Sequence, residues 1–177
     1  MKHIPFGEAA NARVRALIIS DTHLGKSRDL VLPAEIMAAA RRADVILHAG
    51  DILTDGLLER LKEVAPTHAV LGNNDLDLVG ELPERLELQL AGVRVAMVHD
   101  SGAALGRETR LARWFPNAQL VIFGHSHQPY DRAGFGGQRL LNPGSPTERR
   151  RAPTHTYGWV ELADGAVRST KVIDLPR

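Results

Sequence analysis

Residues 14–23 read VRALIISDTH, a β-branched apolar run that stops abruptly at Asp21-Thr22-His23. A short continuous apolar run bounded by polar residues is the pattern of a buried strand. The segments on its C-terminal side decide which kind of sheet it enters. Residues 30–42, LVLPAEIMAAARR, carry Ile36, Met37 and Ala40 at helical spacing, and Pro33 suits a first helical turn. VILHAG (45–50) is a second short strand. TDGLLERLKEVA (54–65) sets Leu57, Leu58, Leu61 and Val64 on one helical face, with Thr54 or Asp55 as N-cap, and HAVLGN (68–73) is a third strand. The order β-α-β-α-β predicts parallel strands joined by crossover helices.

The second half is richer in strands. RLELQL (85–90) and VRVAMVH (93–99) alternate as a hairpin requires, across Ala91-Gly92. A short amphipathic helix over 108–115 contains Leu111 and Trp114 and stops before Pro116. LVIFG (120–124) and RLLN (139–142) are further strands, and TYGWVEL (156–162) with VRSTKVI (167–173) forms a terminal hairpin near Asp164-Gly165. Residues 1–12 have no clear period and read as a loose lead-in. The expectation is an α/β fold with more than one sheet, as a single domain spanning 1–177.

Composition narrows the function classes. The chain has 177 residues, 44% hydrophobic and 24% charged, which is ordinary for a soluble globular protein. A net charge of +1 argues against nucleic acid as a stable partner and against a membrane surface. With no cysteine, disulfides, thiolate metal sites and thiol nucleophiles are excluded together. No stretch resembles a signal-peptide core or approaches the ~18 apolar residues of a membrane span, so the expected location is the cytoplasm. The apolar hairpins leave a homo-oligomer open.

Each apolar strand runs into a specific polar cluster: Asp21-Thr22-His23, Asp51, Asn73-Asn74-Asp75, His99-Asp100 and His125-Ser126-His127. Side chains at the carboxyl ends of strands converge in α/β folds, because ligands bind in the crevice there. Residues at i and i+2 of an extended segment point the same way, so Asp21 and His23 are expected to share one target. Two Asp, one Asn and four His make a nitrogen-and-oxygen set suited to divalent Mn, Fe, Co, Ni or Zn. Seven ligands exceed one tetrahedral site; two metals with a bridging carboxylate would use them all.

The ordered blocks SDTHLG (20–25), HAGD (48–51), GNND (72–75), VHD (98–100) and GHSH (124–127) resemble the calcineurin-like metallophosphoesterases. NPGS (142–145) is similar to a segment of their small bacterial and archaeal phosphodiesterase branch. The resemblance implies a four-layer αββα sandwich of two mixed sheets flanked by helices. It also implies a metal-dependent phosphodiesterase or phosphatase acting on a small phosphate ester. Asp21, His23 and His127 would hold one divalent metal, Asn73, His99 and His125 the other, and Asp51 would bridge them. A hydroxide between the metals would be the nucleophile, with Asp51, Asn73 and His99 nearest the chemistry.

Many relatives have a His after the metal-binding Asn, where this chain has Asn74. A carboxamide has no useful proton to give near neutral pH, so Asn74 is left with substrate binding and good leaving groups are expected to react best. Asp75 loses its usual partner, and Asp100 has no assigned role. Taken singly, every block has a plainer reading: Asp51 as a helix cap, GNND as a turn, the histidines as solvated loop residues. Arg149-Arg150-Arg151 reads as a solvated charge run or as a loop attracting substrate phosphate. The rival function is a non-catalytic interaction scaffold of the same fold, as in the retromer subunit that resembles this branch. A scaffold is expected to show broken ligand positions, and none is broken here.

Overall fold

The computed structural model describes residues 2–5, 13–25 and 31–176, with 2–5 as backbone. Along them run strands β1 (Lys2–Pro5) and β2 (Arg13–Ile19), helix α1 (Ala34–Ala40), β3 (Val45–His48), α2 (Asp55–Lys62) and β4 (Thr67–Ala69). The chain continues through β5 (Arg85–Leu90), β6 (Val93–Val98), α3 (Arg107–Trp114), β7 (Leu120–Ile122), β8 (Tyr130–Ala133), β9 (Arg139–Asn142), β10 (Thr156–Ala163) and β11 (Ala166–Asp174). One sheet has the order β1-β5-β6-β7-β9-β8, the other β11-β10-β2-β3-β4. Both are mixed: β2, β3 and β4 run parallel, as do β6, β7 and β9, while β10 is antiparallel to β2 and β5 to β6.

The alternation of side chains along a strand explains why both faces are covered. In β2, Ala16 and Ile18 join Leu47, Leu88, Val95, Met97, Ile122 and Val160 in a core between the sheets. Leu17 and Ile19 face the other way, onto Ile36, Ala40, Leu57, Leu58 and Leu61 from α1 and α2. On the far sheet, Ala96, Val121 and Leu140 pack under Leu111 of α3 and Phe115. Three cores between four layers give the αββα sandwich. β2 and β3, apolar on both faces, are continuous apolar runs for this reason.

Element boundaries differ from the sequence reading where tertiary contacts decide. The helix expected over 30–42 spans 34–40, and residues 26–30 lie outside the described residues. Thr54 occupies the N-cap of α2, but its hydroxyl donates to the Leu24 carbonyl (3.2 Å) instead of capping the helix. β4 begins at Thr67, and only His68 and Ala69 of the strand expected at 68–73 belong to it, because the chain beyond Val70 leaves the sheet to build a loop of the site. β8, YDRA, is a strand that the sequence pattern does not show: at the sheet edge its side chains are half-buried or exposed, so it carries no apolar pattern. Lys2–Pro5 is not a lead-in but pairs in parallel with β5; the remainder of that stretch, 6–12, lies outside the described residues. No helix among the described residues is long and apolar enough to cross a membrane.

Candidate metal centre

The loops that leave β2, β3, β4, β6 and β7 meet at one end of the sandwich. Backbone hydrogen bonds knit them: Asp21 N donates to Gly50 O (2.9 Å), His23 N to Asp51 O (3.0 Å) and Gly124 N to His99 O (2.9 Å). The packing is close enough that a Cβ on Gly72 would overlap Asp51, and one on Gly124 would overlap Ser20. Glycine at these two positions of the quoted blocks is a steric requirement.

Nine non-glycine residues among those described have positive φ, and five of them are Asp21, His23, Asp51, His125 and His127. Left-handed backbone is sparsely populated by such residues and concentrates at functional sites. It also corrects the reason given for Asp21 and His23 sharing a target. Their φ values of 54° and 46° are not those of an extended segment, and the two converge because both turn back toward the β3 loop.

All seven expected ligands are brought together. Asp51 Oδ2 lies 3.5 Å from His23 Nε2 and 3.4 Å from His99 Nε2. Asp21 Oδ1 is 3.3 Å from His127 Nε2, which faces His23 Nε2 at 3.2 Å. Asn73 Oδ1 lies 3.1 Å from His99 Nε2 and 2.9 Å from His125 Nδ1. The donor atoms of Asp21, His23 and His127 all fall within 4.8 Å of one another, as do those of Asp21, Asp51 and His99. Asp21 belongs to both groups, its Oδ1 being 4.0 Å from His99 Nε2.

The outer contacts of the imidazoles test whether this cluster fits a cation. His99 Nδ1 is 2.7 Å from the Ala49 carbonyl, and His127 Nδ1 lies against the Glu148 carbonyl. A carbonyl only accepts, so in the neutral form both rings carry their proton on Nδ1 and turn the Nε2 lone pair inward. Lone pairs and carboxylate oxygens converging from several sides repel unless a cation lies between them. The donor set therefore fits divalent metal.

The carboxyl groups are held in unlike states. Burial dominates at Asp21 and lifts its pKa to about 6, against the pull of His99 and the Ser20 hydroxyl. Burial also works on Asp51, but His99 and the hydrogen bonds from Asn74 outweigh it and hold its carboxyl well below the usual range. His99 is the counterpart: burial lowers its basicity, and the Asp51 and Asp21 carboxylates reverse this and raise it. His127 is lowered, first by burial.

Several residues around the cluster have roles that the sequence alone does not mark. Asp75, which lacks the His partner of many relatives, is engaged by the backbone: its carboxylate accepts from the N–H of Asp51 (3.0 Å), Ile52 (2.6 Å), Leu53 (2.8 Å) and Gly72 (2.7 Å). Ser145, in the quoted NPGS, donates to Asp21 O (2.7 Å), and Thr147 donates to Thr22 O (2.6 Å). Glu148, which no motif marks, reaches His23 Nε2 with Oε2 at 3.5 Å. His48 is fully buried with Nε2 3.0 Å from the Thr22 hydroxyl. Asp100 is exposed and accepts from Gly102 N at 2.7 Å, closing a local turn.

Residues 14–165 match the calcineurin-like phosphoesterase superfamily domain. The chain belongs to this superfamily. It is 35% identical over 136 residues to a probable metallophosphoesterase of Methanothermobacter thermautotrophicus, covering 75% of this chain and 77% of the relative. A predicted phosphoesterase from Streptococcus pneumoniae superposes with a TM-score of 0.71 at 23% identity, over 92% of this chain and 90% of that one. Vps29 from Entamoeba histolytica, complexed with Zn2+, superposes with a TM-score of 0.70 at 20% identity, over 90% of this chain and 98% of that one. At these identities the two structures establish the shared fold of the superfamily and nothing finer.

Proposed function

We propose that this chain is a dinuclear metal-dependent phosphodiesterase. The observation that carries the reading is the position of Asp51 Oδ2, nearly equidistant from His23 Nε2 (3.5 Å) and His99 Nε2 (3.4 Å). On this reading Asp51 joins two ligand groups. Asp21, His23 and His127 form one; Asn73, His99 and His125 form the other. Two divalent ions so held would supply Lewis-acid charge at phosphorus and hydroxide as a nucleophile near neutral pH.

The protein's own residues set the stage for that chemistry. The carbonyls of Ala49 and Glu148 fix the tautomers of His99 and His127, so their inward nitrogens are ready acceptors. Asp75 holds the Asp51 loop by its backbone N–H groups, and Asn74 holds the Asp51 carboxylate itself. With Asn74 so engaged, the leaving group departs without a proton from this position. Diesters with acidic leaving groups are the substrates this arrangement suits.

The test is reconstitution. Metal-free protein given Mn2+ or Ni2+ is expected to hydrolyse bis(p-nitrophenyl) phosphate faster than the p-nitrophenyl monoester. Absence of hydrolysis across a panel of divalent metals would leave the chain as an interaction scaffold on a phosphoesterase fold.

A further inference from the structure

Beyond the ligand cluster lies the loop 145–150, wired to it at three points. Ser145 and Thr147 hold the carbonyls of Asp21 and Thr22, and the Glu148 carbonyl takes the His127 ring proton. Glu148 N donates back to Ser145 Oγ at 2.8 Å, so the loop is braced internally as well. Its side chains therefore have fixed starting points relative to the cluster.

The arginines of this stretch are not equivalent. Arg149 is tied to the backbone, donating to the Ala152 carbonyl at 2.8 Å. Arg150 takes a left-handed backbone (φ 47°), and its Nε lies 4.0 Å from Glu148 Oε1. The other Glu148 oxygen, Oε2, lies 3.5 Å from His23 Nε2. One carboxylate thus spans from the guanidinium to a ligand imidazole.

We infer that Arg150 is a substrate-phosphate-binding residue, its guanidinium taking an oxygen of the phosphoryl group seated at the Asp21–Asp51 cluster. The inference rests on the phosphoesterase reading of that cluster. A phosphoryl group, like the Glu148 carboxylate, is an oxyanion that presents more than one oxygen, and it can span the same gap, from the ligand imidazoles to Arg150. Guanidinium groups bind such oxyanions through paired, charge-assisted hydrogen bonds. The Glu148–Arg150 contact is long, and both side chains are about half exposed, 50% and 46%. A pair of that kind is worth little and leaves the guanidinium free to change partners. Glu148 acts as a place-holder that the substrate displaces.

The experiment uses the full chain loaded with Mn2+, its metal content measured, as wild type, Arg150→Ala and Arg150→Lys. Calorimetric titration with inorganic phosphate is the readout independent of turnover, and KM and kcat for bis(p-nitrophenyl) phosphate are the second. Arg150→Ala is expected to weaken phosphate binding and raise KM by roughly 10- to 100-fold, the range for a hydrogen bond to a charged group. Metal content and kcat should change little, and Arg150→Lys should recover part of the loss. Wild-type phosphate affinity in Arg150→Ala would overturn the inference. So would metal loss from that variant, or failure of the wild type to bind phosphate. A wild type that binds phosphate but hydrolyses no ester would sink the phosphoesterase reading, while the affinity comparison would still decide the role of Arg150.

Discussion

Asn74 grips the Asp51 carboxylate at both oxygens: its backbone N–H donates to Oδ1 at 2.9 Å and its carboxamide to Oδ2 at 2.7 Å. The residue that stands where relatives have an acid-base His is thus an anchor for the carboxylate at the centre of the cluster. This differs from the sequence expectation of a substrate contact, and it has a kinetic consequence.

If Asn74 supplies no proton, the wild type should favour leaving groups that depart as stable anions. Aryl diesters are expected to outpace alkyl phosphates by at least about 100-fold, the lower range for general acid catalysis. Asn74→His should narrow that ratio by speeding the alkyl ester. Equal wild-type rates on both would mean another residue gives the proton.

The two histidines of GHSH face different partners, His125 toward Asn73 and His127 toward Asp21 and His23. Each single His→Ala variant should therefore lose about one of two bound metals, and Asp51→Asn should lose both together with activity. Metal analysis on purified protein checks this. Loss of both ions from either single histidine variant would argue for one shared site.

Asp75 is 1% exposed and satisfies four backbone N–H groups. Asp75→Ala would strand those donors, and each buried unpaired group costs about 1–3 kcal/mol, with partial relief where solvent enters. A destabilisation of at least about 3 kcal/mol is expected, which lowers Tm by roughly 6–12 °C at this chain length. Thermal unfolding in excess chelator measures it without any contribution from metal. A change under about 1 kcal/mol would show that the loop re-forms its bonds elsewhere.

His48 supplies a pH signature. Burial, helped by the charges of His99 and His23 and opposed by Asp51, lowers its pKa from 6.5 to about 3. Below 6.5 the unfolded chain takes up a proton that the folded chain refuses, so this residue's contribution to stability falls as pH drops toward about 3. Asp21, raised to about 6, acts in the opposite sense, so the comparison is between variants. His48→Gln can still donate to Thr22 but does not titrate. Its denaturant-derived stability should fall less steeply from pH 6.5 to 4 than that of the wild type. Parallel curves would contradict the assignment.

Much of this molecule was legible in the residues themselves. Burial leaves a local, periodic trace, so the apolar runs of β2, β3, β6 and β7 and the helical spacing of Leu57, Leu58 and Leu61 announced their elements. The polar residues at the strand ends stood out because a chain rarely ends so many apolar runs on Asp, Asn or His. The blocks, in order, carried the family.

Only the tertiary structure decided the rest. β8 has no apolar face to leave a pattern, and the turn of Asp21 and His23 is set by carbonyls on the neighbouring β3 loop. Which imidazole nitrogen faces inward depends on Ala49 and Glu148, whose side chains are irrelevant to the bond: their backbone oxygens make it, across 50 and 21 positions of sequence. A backbone oxygen leaves no mark in an amino-acid sequence. The kind and order of the donor side chains were therefore written in the chain, whereas their tautomers, spacing and supports were decided where distant loops met.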